Sequence, residues 1–182
     1  MALRKANAYS HRHVVPFTRV SKKKSKAYIK VVPPQNIVKF SMGRSDLFNQ
    51  GKLPHQLTML AEQKVQIRHN ALESCRQYLN KVFDVDLAGI YLLKVIPYPH
   101  HIQRENKMLT GAGADRMQTG MQLSFGKSVG KAAIVKPGDR IFFVAVQNEK
   151  AVEVVRNAFQ EIKSKLPGKK KVAYEKVEKI YE

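Results

Sequence analysis

A thirty-residue segment between two predicted strands, residues 102–131, constrains the fold of this chain most strongly. It holds five of the ten glycines, and five Lys or Arg against two acids. A compact domain rarely contains so long an irregular connection unless the connection has a function. Glycine lets the backbone approach a partner closely, and the basic side chains favour an anionic partner. The sequence therefore predicts a long loop that contacts a polyanion.

The overall charge supports the same expectation. The 182 residues contain 33 Lys or Arg and 14 Asp or Glu, which gives a formal net charge of +19 and a pI of about 10.1. Repulsion among so many positive charges opposes compaction unless a polyanion offsets it. Nucleic acid is therefore the expected partner, and a membrane surface is the competing one. No apolar run approaches the roughly 18 residues of a spanning helix, and the N-terminus lacks an apolar signal core. We expect a cytoplasmic protein without membrane contact.

The first 45 residues contain eleven Lys or Arg and no acid. A solvated tail is one interpretation. However, Tyr9, Phe17 and Tyr28 are interleaved with the charges and can stack on exposed bases, which favours an RNA-binding arm. His11 and His13 lack a nearby Cys or acid to complete a metal site, so we expect no metal. The basic residues are Arg4, Lys5, Arg12, Arg19, Lys22, Lys23, Lys24, Lys26, Lys30, Lys39 and Arg44.

Apolar patterning predicts five strands and two helices. The strands are expected at residues 36–42, 55–62, 89–96, 132–135 and 140–146, with a polar loop at 43–54. Pro137 and Gly138 predict a hairpin turn between the last two strands. The residues after 171 are expected to form a short strand or a solvated tail.

The first helix is predicted over residues 67–83, with Arg68 and His69 on its exposed face and Cys75 on its buried stripe. The second begins after a predicted N-cap at Asn148 and ends at residues 167 and 168. Lysines at its end either complement the helix dipole or bind phosphate. Together these elements predict an α+β domain at residues 36–171, with two helices on one face of a largely antiparallel sheet. An extended arm, residues 1–35, precedes the domain, and a tail, residues 172–182, follows it.

Two apparent nucleotide-binding motifs in the long loop fail on spacing. Residues 120–128, GMQLSFGKS, place five residues instead of four between the glycines of a phosphate loop, and a β-prone run follows where a helix is required. Residues 111–116 lack the third glycine of a dinucleotide fingerprint. No Ser-His-Asp or zinc-protease pattern is present, and His100 and His101 are expected to be surface or stacking groups. We therefore expect neither enzymatic activity nor a cofactor.

The same loop carries a resemblance to a known family. Residues 106–121, NKMLTGAGADRMQTGM, and residues 125–130, FGKSVG, are very similar to the signature of universal large-subunit ribosomal protein sixteen, called L-ten-e in its archaeal and eukaryotic branch. Residues 66–73, QIRHNALE, extend the match, which covers about residues 36–167. The pattern resembles archaeal or eukaryotic members more than bacterial ones.

The resemblance implies an α/β-hammerhead fold and binding to large-subunit ribosomal RNA beside neighbouring ribosomal proteins. It also implies transient contact with tRNA near the A and P sites and the peptidyl-transferase region, through a loop at about residues 102–115. The expected tRNA-proximal residues are Arg104, Asn106, Lys107, Met108, Leu109, Thr110, Gly111, Ala112, Gly113, Ala114 and Asp115. The expected rRNA-binding residues are Arg4, Lys5, Arg12, Arg19, Lys22, Lys23, Lys24, Lys26, Arg44, Arg68, His69, Arg116, Lys127 and Lys131.

Two positions depart from the family pattern. Gln122 stands where members commonly have a basic residue, so one ionic contact of the family is replaced by a neutral hydrogen-bonding group. Residues 20–30 are unusually rich in lysine. The alternative function is that of an RNA- or DNA-binding protein outside the ribosome.

Overall fold

The computed structural model of the chain describes residues 5–7, 10, 16, 18, 29–106 and 126–177. These residues form two antiparallel sheets and three α-helices, which confirms the α+β class. No helix in these ranges is long and apolar enough to cross a bilayer. The elements are β1 (Ser41–Gly43), α1 (Ser45–Asn49), β2 (His55–Ala61), β3 (Val65–Arg68), α2 (His69–Asp86), β4 (Tyr91–Val95), β5 (His101–Glu105), β6 (Lys127–Val135), β7 (Arg140–Val146), α3 (Glu149–Ile162), a 3₁₀ turn (Lys163–Lys165) and β8 (Lys170–Lys176).

The main sheet has the strand order β1-β4-β7-β2-β8. Alternate residues of its strands enter one core, because successive side chains of a strand point to opposite faces. That core also takes the apolar stripes of α2 and α3, as the helical periodicity predicts. Members include Leu57, Met59, Leu93, Phe142, Val144, Leu72, Cys75, Leu79, Phe83, Val155, Phe159 and Ile162.

The opposite face of the main sheet carries a smaller apolar cluster. Leu92 and Phe143 contribute the alternate side chains of β4 and β7, and Leu47 and Phe48 of α1 pack on them. The rings of Phe48 and Phe143 meet edge to face at 5.7 Å. The expected loop at residues 43–54 therefore contains a helix, which is too short for a helical period to be visible in the sequence.

The second sheet has the order β3-β6-β5. Val65 and Ile67 of β3 enter the main core, and α2 begins at His69 directly after this strand. The predicted helix start at residue 67 is therefore wrong. The expectation that Arg68 and His69 lie on an exposed helix face is wrong too, since both are buried.

The predicted hairpin between residues 132–135 and 140–146 is also wrong, because β6 and β7 lie in different sheets. Both edges of β7 are occupied, one by β2 and one by β4. The turn between β6 and β7 instead contacts the end of β2: Gly138 N–H donates to the carbonyl of Ala61 at 2.7 Å, and Ala61 N–H donates to that of Asp139 at 2.9 Å. The predicted turn therefore directs the chain from one sheet to the other.

The long segment at residues 102–131 is not irregular at its ends. Ile102 pairs with Lys131 and Glu105 with Lys127 in the β5–β6 ladder. The prediction of a thirty-residue irregular loop is therefore wrong over both ends, and residues 107–125 lie outside the described part of the chain. Ile102 itself is buried.

Some of the remaining predictions of secondary structure are confirmed, and others are only partly correct. The strands expected at 55–62, 89–96 and 140–146 are confirmed as β2, β4 and β7, whereas the strand expected at 36–42 is reduced to β1. Asn148 lies at the N-cap position of α3 with extended backbone, but its side chain makes no capping hydrogen bond to the helix. Beyond residue 171 the strand alternative is correct: β8 pairs with β2, so the expected domain boundary falls inside a strand of the main sheet.

Candidate nucleic-acid interface

The junction of β3 and α2 holds two of the predicted RNA-binding residues. Because Val65 and Ile67 point into the core, the alternation of β3 directs Gln66 and Arg68 to the other side of the strand. Arg68 is only 7% exposed and His69 is only 5% exposed. The interface is thus built from buried polar groups rather than from a solvated helix face.

His69 is held as a neutral ring. Its Nδ1 atom accepts a hydrogen bond of 3.1 Å from the backbone N–H of Asn36. Burial lowers the pKa of His69, and the positive charges of Arg68 and Lys131 lower it further. Gly130 lies against the ring, where a Cβ atom would come within 2.8 Å of Nε2. The structure thus brings Arg68, His69 and Lys131 together, with His69 as a neutral hydrogen-bonding group at neutral pH.

The edge strand β5 adds a second neutral histidine. His101 is buried, contrary to the expectation of a surface position, and its pKa is lowered to about 4 by burial and by the charges of His100 and Arg104. Gln103 of the same strand donates a hydrogen bond to the side chain of Gln66 across the sheet at 3.4 Å. Arg104, predicted to lie in a tRNA-proximal loop, is a half-buried residue of β5 that pairs with Ser128 in register.

The described parts of the N-terminal arm pack against this junction. The carbonyl of Ser10 accepts a hydrogen bond of 3.0 Å from the backbone N–H of Gln66, and Ser10 is buried. The hydroxyl of Ser128 donates to the carbonyl of Val31 at 2.9 Å. Farther along, the backbone N–H of Val38 donates to the carboxylate of Glu73 on α2. Within these described residues, the arm is therefore attached to both β3 and β6.

Glu73 itself is held in an ionic pair. Both of its carboxylate oxygens accept hydrogen bonds from the guanidinium of Arg76, at 2.6 and 2.8 Å. The hydrogen bond from Arg76 is the main cause that lowers the pKa of Glu73, against the opposing effect of burial. The ionised carboxylate is thus available to accept the Val38 N–H group.

A cavity of about 660 Å³ adjoins the first turn of α2. Arg68 lines it together with Lys5, another predicted RNA-binding residue, and Lys165. The ammonium of Lys165 lies 4.6 Å from the centre of the Tyr78 ring. Sequence reasoning connected neither Lys165 nor the turn at residues 164–168 with Arg68, because they are separated by almost one hundred residues.

Other predicted cations lie elsewhere. Arg44 is exposed after β1 and lines a separate cavity with Lys39 and Arg76. Lys127 is exposed at the start of β6. Asn106 is half-buried just after β5. The predicted site residues that fall outside the described part of the chain are Arg4, Arg12, Arg19, Lys22, Lys23, Lys24, Lys26, Lys107, Met108, Leu109, Thr110, Gly111, Ala112, Gly113, Ala114, Asp115 and Arg116, as does Gln122.

The lysines after α3 do not all have the same role. The ammonium of Lys170 donates to the carbonyls of Lys163 and Leu166, at 2.7 and 2.6 Å, and so satisfies acceptors at the end of the helix and its 3₁₀ turn. Burial lowers the pKa of this ammonium. For Lys170 the helix-end interpretation is therefore favoured, and phosphate binding by the other lysines stays a prediction.

The described residues also bear on the enzymatic alternatives. Cys75 is buried in the core as predicted, and burial raises its pKa to about 11, which keeps the thiol protonated. Lys127 and Ser128 belong to β6, so the apparent phosphate loop leads into a strand and not into a helix. Over the described ranges, no group of three or more His, Cys, Asp or Glu is placed to hold a metal ion.

Comparison with known proteins gives a consistent result. The family model described as ribosomal protein L16p/L10e matches residues 16–173. Large ribosomal subunit protein uL16 of Staphylothermus marinus is 42% identical over 168 residues, which are 92% of this chain and 90% of the relative. The protein of the same name from Thermofilum pendens is 37% identical and covers 98% of this chain and 100% of its own length. That from Methanococcus maripaludis is 39% identical over 97% of this chain and 96% of the relative. The chain therefore belongs to the ribosomal protein L16p/L10e family.

Proposed function

We propose that this chain is a structural constituent of the large ribosomal subunit that binds ribosomal RNA and neighbouring ribosomal proteins in the cytoplasm. The relatives carry the name of a large-subunit protein and match nearly the whole chain. Membership of a ribosomal protein family makes the chain a structural component and not an enzyme. We also assign the fold to the α/β-hammerhead type of this family.

The single observation that carries RNA binding is the positive junction at the start of α2. Arg68 and Lys131 lie close enough to His69 to lower its pKa. The pKa of His101 is lowered as well, so both histidines are neutral at neutral pH and add no positive charge to the junction. A formal net charge of +19 supplies many further phosphate contacts, which fix position without reading sequence.

Sedimentation of a native lysate tests this function. At moderate salt, nearly all of the chain should move with large subunits, and RNase treatment should release it. A predominantly free pool before RNase treatment would contradict the proposal and favour the alternative, a nucleic-acid-binding protein outside the ribosome. High salt in the lysis and gradient buffers is avoided, because phosphate contacts weaken steeply with salt.

The finer part of the proposal concerns tRNA. The β5–β6 ladder is a paired base from which residues 106–126 extend, and its last register pair is Glu105 with Lys127. Gly126 there has a φ of +75°, and a Cβ atom would lie 2.7 Å from the backbone of Glu105, so the close approach of the two strands at this point requires glycine. We propose that the extension reaches tRNA near the peptidyl-transferase region.

Deletion of residues 108–115 tests the tRNA contact. Subunits that carry the deletion should retain the protein but bind P-site tRNA more weakly and translate more slowly. As a matched control, replacement of the same eight residues by a Gly-Ser sequence of equal length keeps the connection and removes its side chains. Normal tRNA binding by both variants would refute the contact.

The arm, residues 1–35, is proposed to bind ribosomal RNA through its lysines. Replacement of Lys22, Lys23, Lys24 and Lys26 by Ala should lower the salt concentration at which the protein leaves the subunit, because each lost phosphate contact reduces the log–log salt slope by roughly 0.7 to 0.9. Replacement of the exposed Lys150 in α3 provides a charge control. An unchanged release curve would show that these lysines are not bound to phosphate.

A further inference from the structure

The cavity beside the first turn of α2 is lined by a buried arginine with an unsatisfied Nε atom. Arg68 is 93% buried, which follows from its 7% exposure, and its Nε atom is shielded from solvent without a hydrogen-bond partner. Burial of a guanidinium without a counter-charge costs several kcal/mol. The arrangement is therefore incomplete unless an anion enters.

The described lining residues supply no such anion. They include the cations Lys5 and Lys165 and the polar residues Asn70 and Ser74, but no Asp or Glu. The first acidic residue of α2, Glu73, is already paired with Arg76. Arg68 thus shares the cavity with two side chains of the same sign, and a bound anion would meet three positive side chains.

The start of α2 reinforces this preference. The helix has 18 residues, begins at His69 and has no acidic residue in its first turn. Its first backbone N–H groups lack intrahelical acceptors, and the helix dipole favours negative charge at this end. Asn70 and Ala71 of that turn line the cavity. Together with a guanidinium, such a terminus is well suited to phosphate oxygens.

We propose that this cavity binds one phosphate group of large-subunit ribosomal RNA, with Arg68 at its buried end and Lys165 and Lys5 nearer the opening. This inference rests on the proposed function. The volume of about 660 Å³ exceeds that of a phosphate, and Ala71, Leu166 and Pro167 provide an apolar surface for the attached sugar.

The test uses the full-length chain and a transcript of large-subunit ribosomal RNA, with the dissociation constant measured over a series of KCl concentrations. Arg68→Leu should weaken binding about tenfold and reduce the log–log salt slope by about 0.7 to 0.9, the change expected for one phosphate. Its urea midpoint should not fall, because the substitution removes an unpaired buried charge. Arg140→Leu, at the exposed start of β7 and outside the cavity, should keep the wild-type slope.

Lys165→Met provides a second variant, because Lys165 is exposed and its replacement does not disturb the core. This variant should also reduce the log–log salt slope. The double variant should lose less of the slope than the two single variants lose together, since both side chains meet the same phosphate. Unchanged slopes in Arg68→Leu and Lys165→Met would overturn the inference, as would an equal loss in Arg140→Leu, which would reflect net charge alone.

Three further outcomes separate this inference from the proposed function. If the wild-type chain does not prefer the large-subunit transcript over an unrelated RNA of equal length, the proposed function fails. If it does, and the cavity variants bind equally well, only the phosphate site fails. If the variants bind RNA normally but enter subunits poorly, the occupant is a carboxylate of a neighbouring protein, and the assignment to phosphate is overturned.

Discussion

We expect the buried ring of His101 to make the stability of this chain sensitive to mild acid. The side chain is 4% exposed in β5, and its pKa is lowered from 6.5 to about 4. Between these two values the unfolded chain binds a proton that the folded chain does not. The free energy of unfolding must therefore fall as the pH falls from about 6.5 to about 4, and this contribution is constant outside that window.

The size of the effect follows from the two pKa values. A tenfold change in proton affinity corresponds to about 1.4 kcal/mol, so the full loss below pH 4 is about 3 kcal/mol. Between pH 7 and pH 5 the same linkage removes about 2 kcal/mol. That is a large fraction of the roughly 5–15 kcal/mol by which domains are stable.

Urea unfolding of the wild type and of His101→Gln at pH 7 and pH 5 measures this loss. Glutamine does not titrate, so the variant should lose about 2 kcal/mol less than the wild type between the two pH values. Other titrating groups, His69 included, contribute to the pH dependence of both proteins, so their contributions cancel in the difference. His100→Gln is the control: His100 is only a secondary cause of the low pKa, so most of the pH dependence should remain. Equal losses in the wild type and His101→Gln would refute the reasoning.

Three other buried environments give predictions that unfolding and labelling experiments check. Gly130→Ala places a Cβ atom 2.8 Å from Nε2 of His69, so the free energy of unfolding should fall by about 1–3 kcal/mol; wild-type stability would contradict the contact. Arg76→Met leaves Glu73 without its bidentate partner and should cost about 3 kcal/mol at pH 7, a loss that must shrink as the pH falls through the lowered pKa of Glu73. Cys75 should react with a thiol reagent only after unfolding, and rapid labelling of the native chain would show that it is not buried.

The helices and the central strands were predictable because their patterns are long or strongly apolar. The stripe of α3 repeats every three to four residues through Phe159 and Ile162, and β7 is almost continuously apolar. The same residues do not predict which strands pair with one another. A short strand such as residues 132–135 has no local property that distinguishes pairing with β7 from pairing with β3 and β5, and a Pro-Gly turn permits both paths.

The error at Arg68 has a more specific cause. A helical period that begins at residue 67 includes the end of β3 and so assigns Arg68, together with His69 at the true start of α2, to a solvated face. Residues 65–68, VQIR, alternate apolar and polar side chains, a period of two that is typical of a strand. That alternation places Arg68 on the side of β3 that faces away from the core. Its burial, however, depends on the arm and on residues 164–168, which no local pattern connects with it.

Backbone groups of the arm make hydrogen bonds that attach it to the domain. The hydrogen bonds at Ser10 and Val31 use backbone carbonyls of the arm, and those at Asn36 and Val38, just after the arm, use backbone N–H groups. Attachment through the backbone does not depend on which side chains the arm carries. The arm can therefore be rich in Lys and Arg without loss of these contacts. The acceptors of the Asn36 and Val38 N–H groups are a neutral histidine and an ionised carboxylate, and the pKa of each is lowered, so these two contacts should be lost only at a pH below the usual titration range of each group.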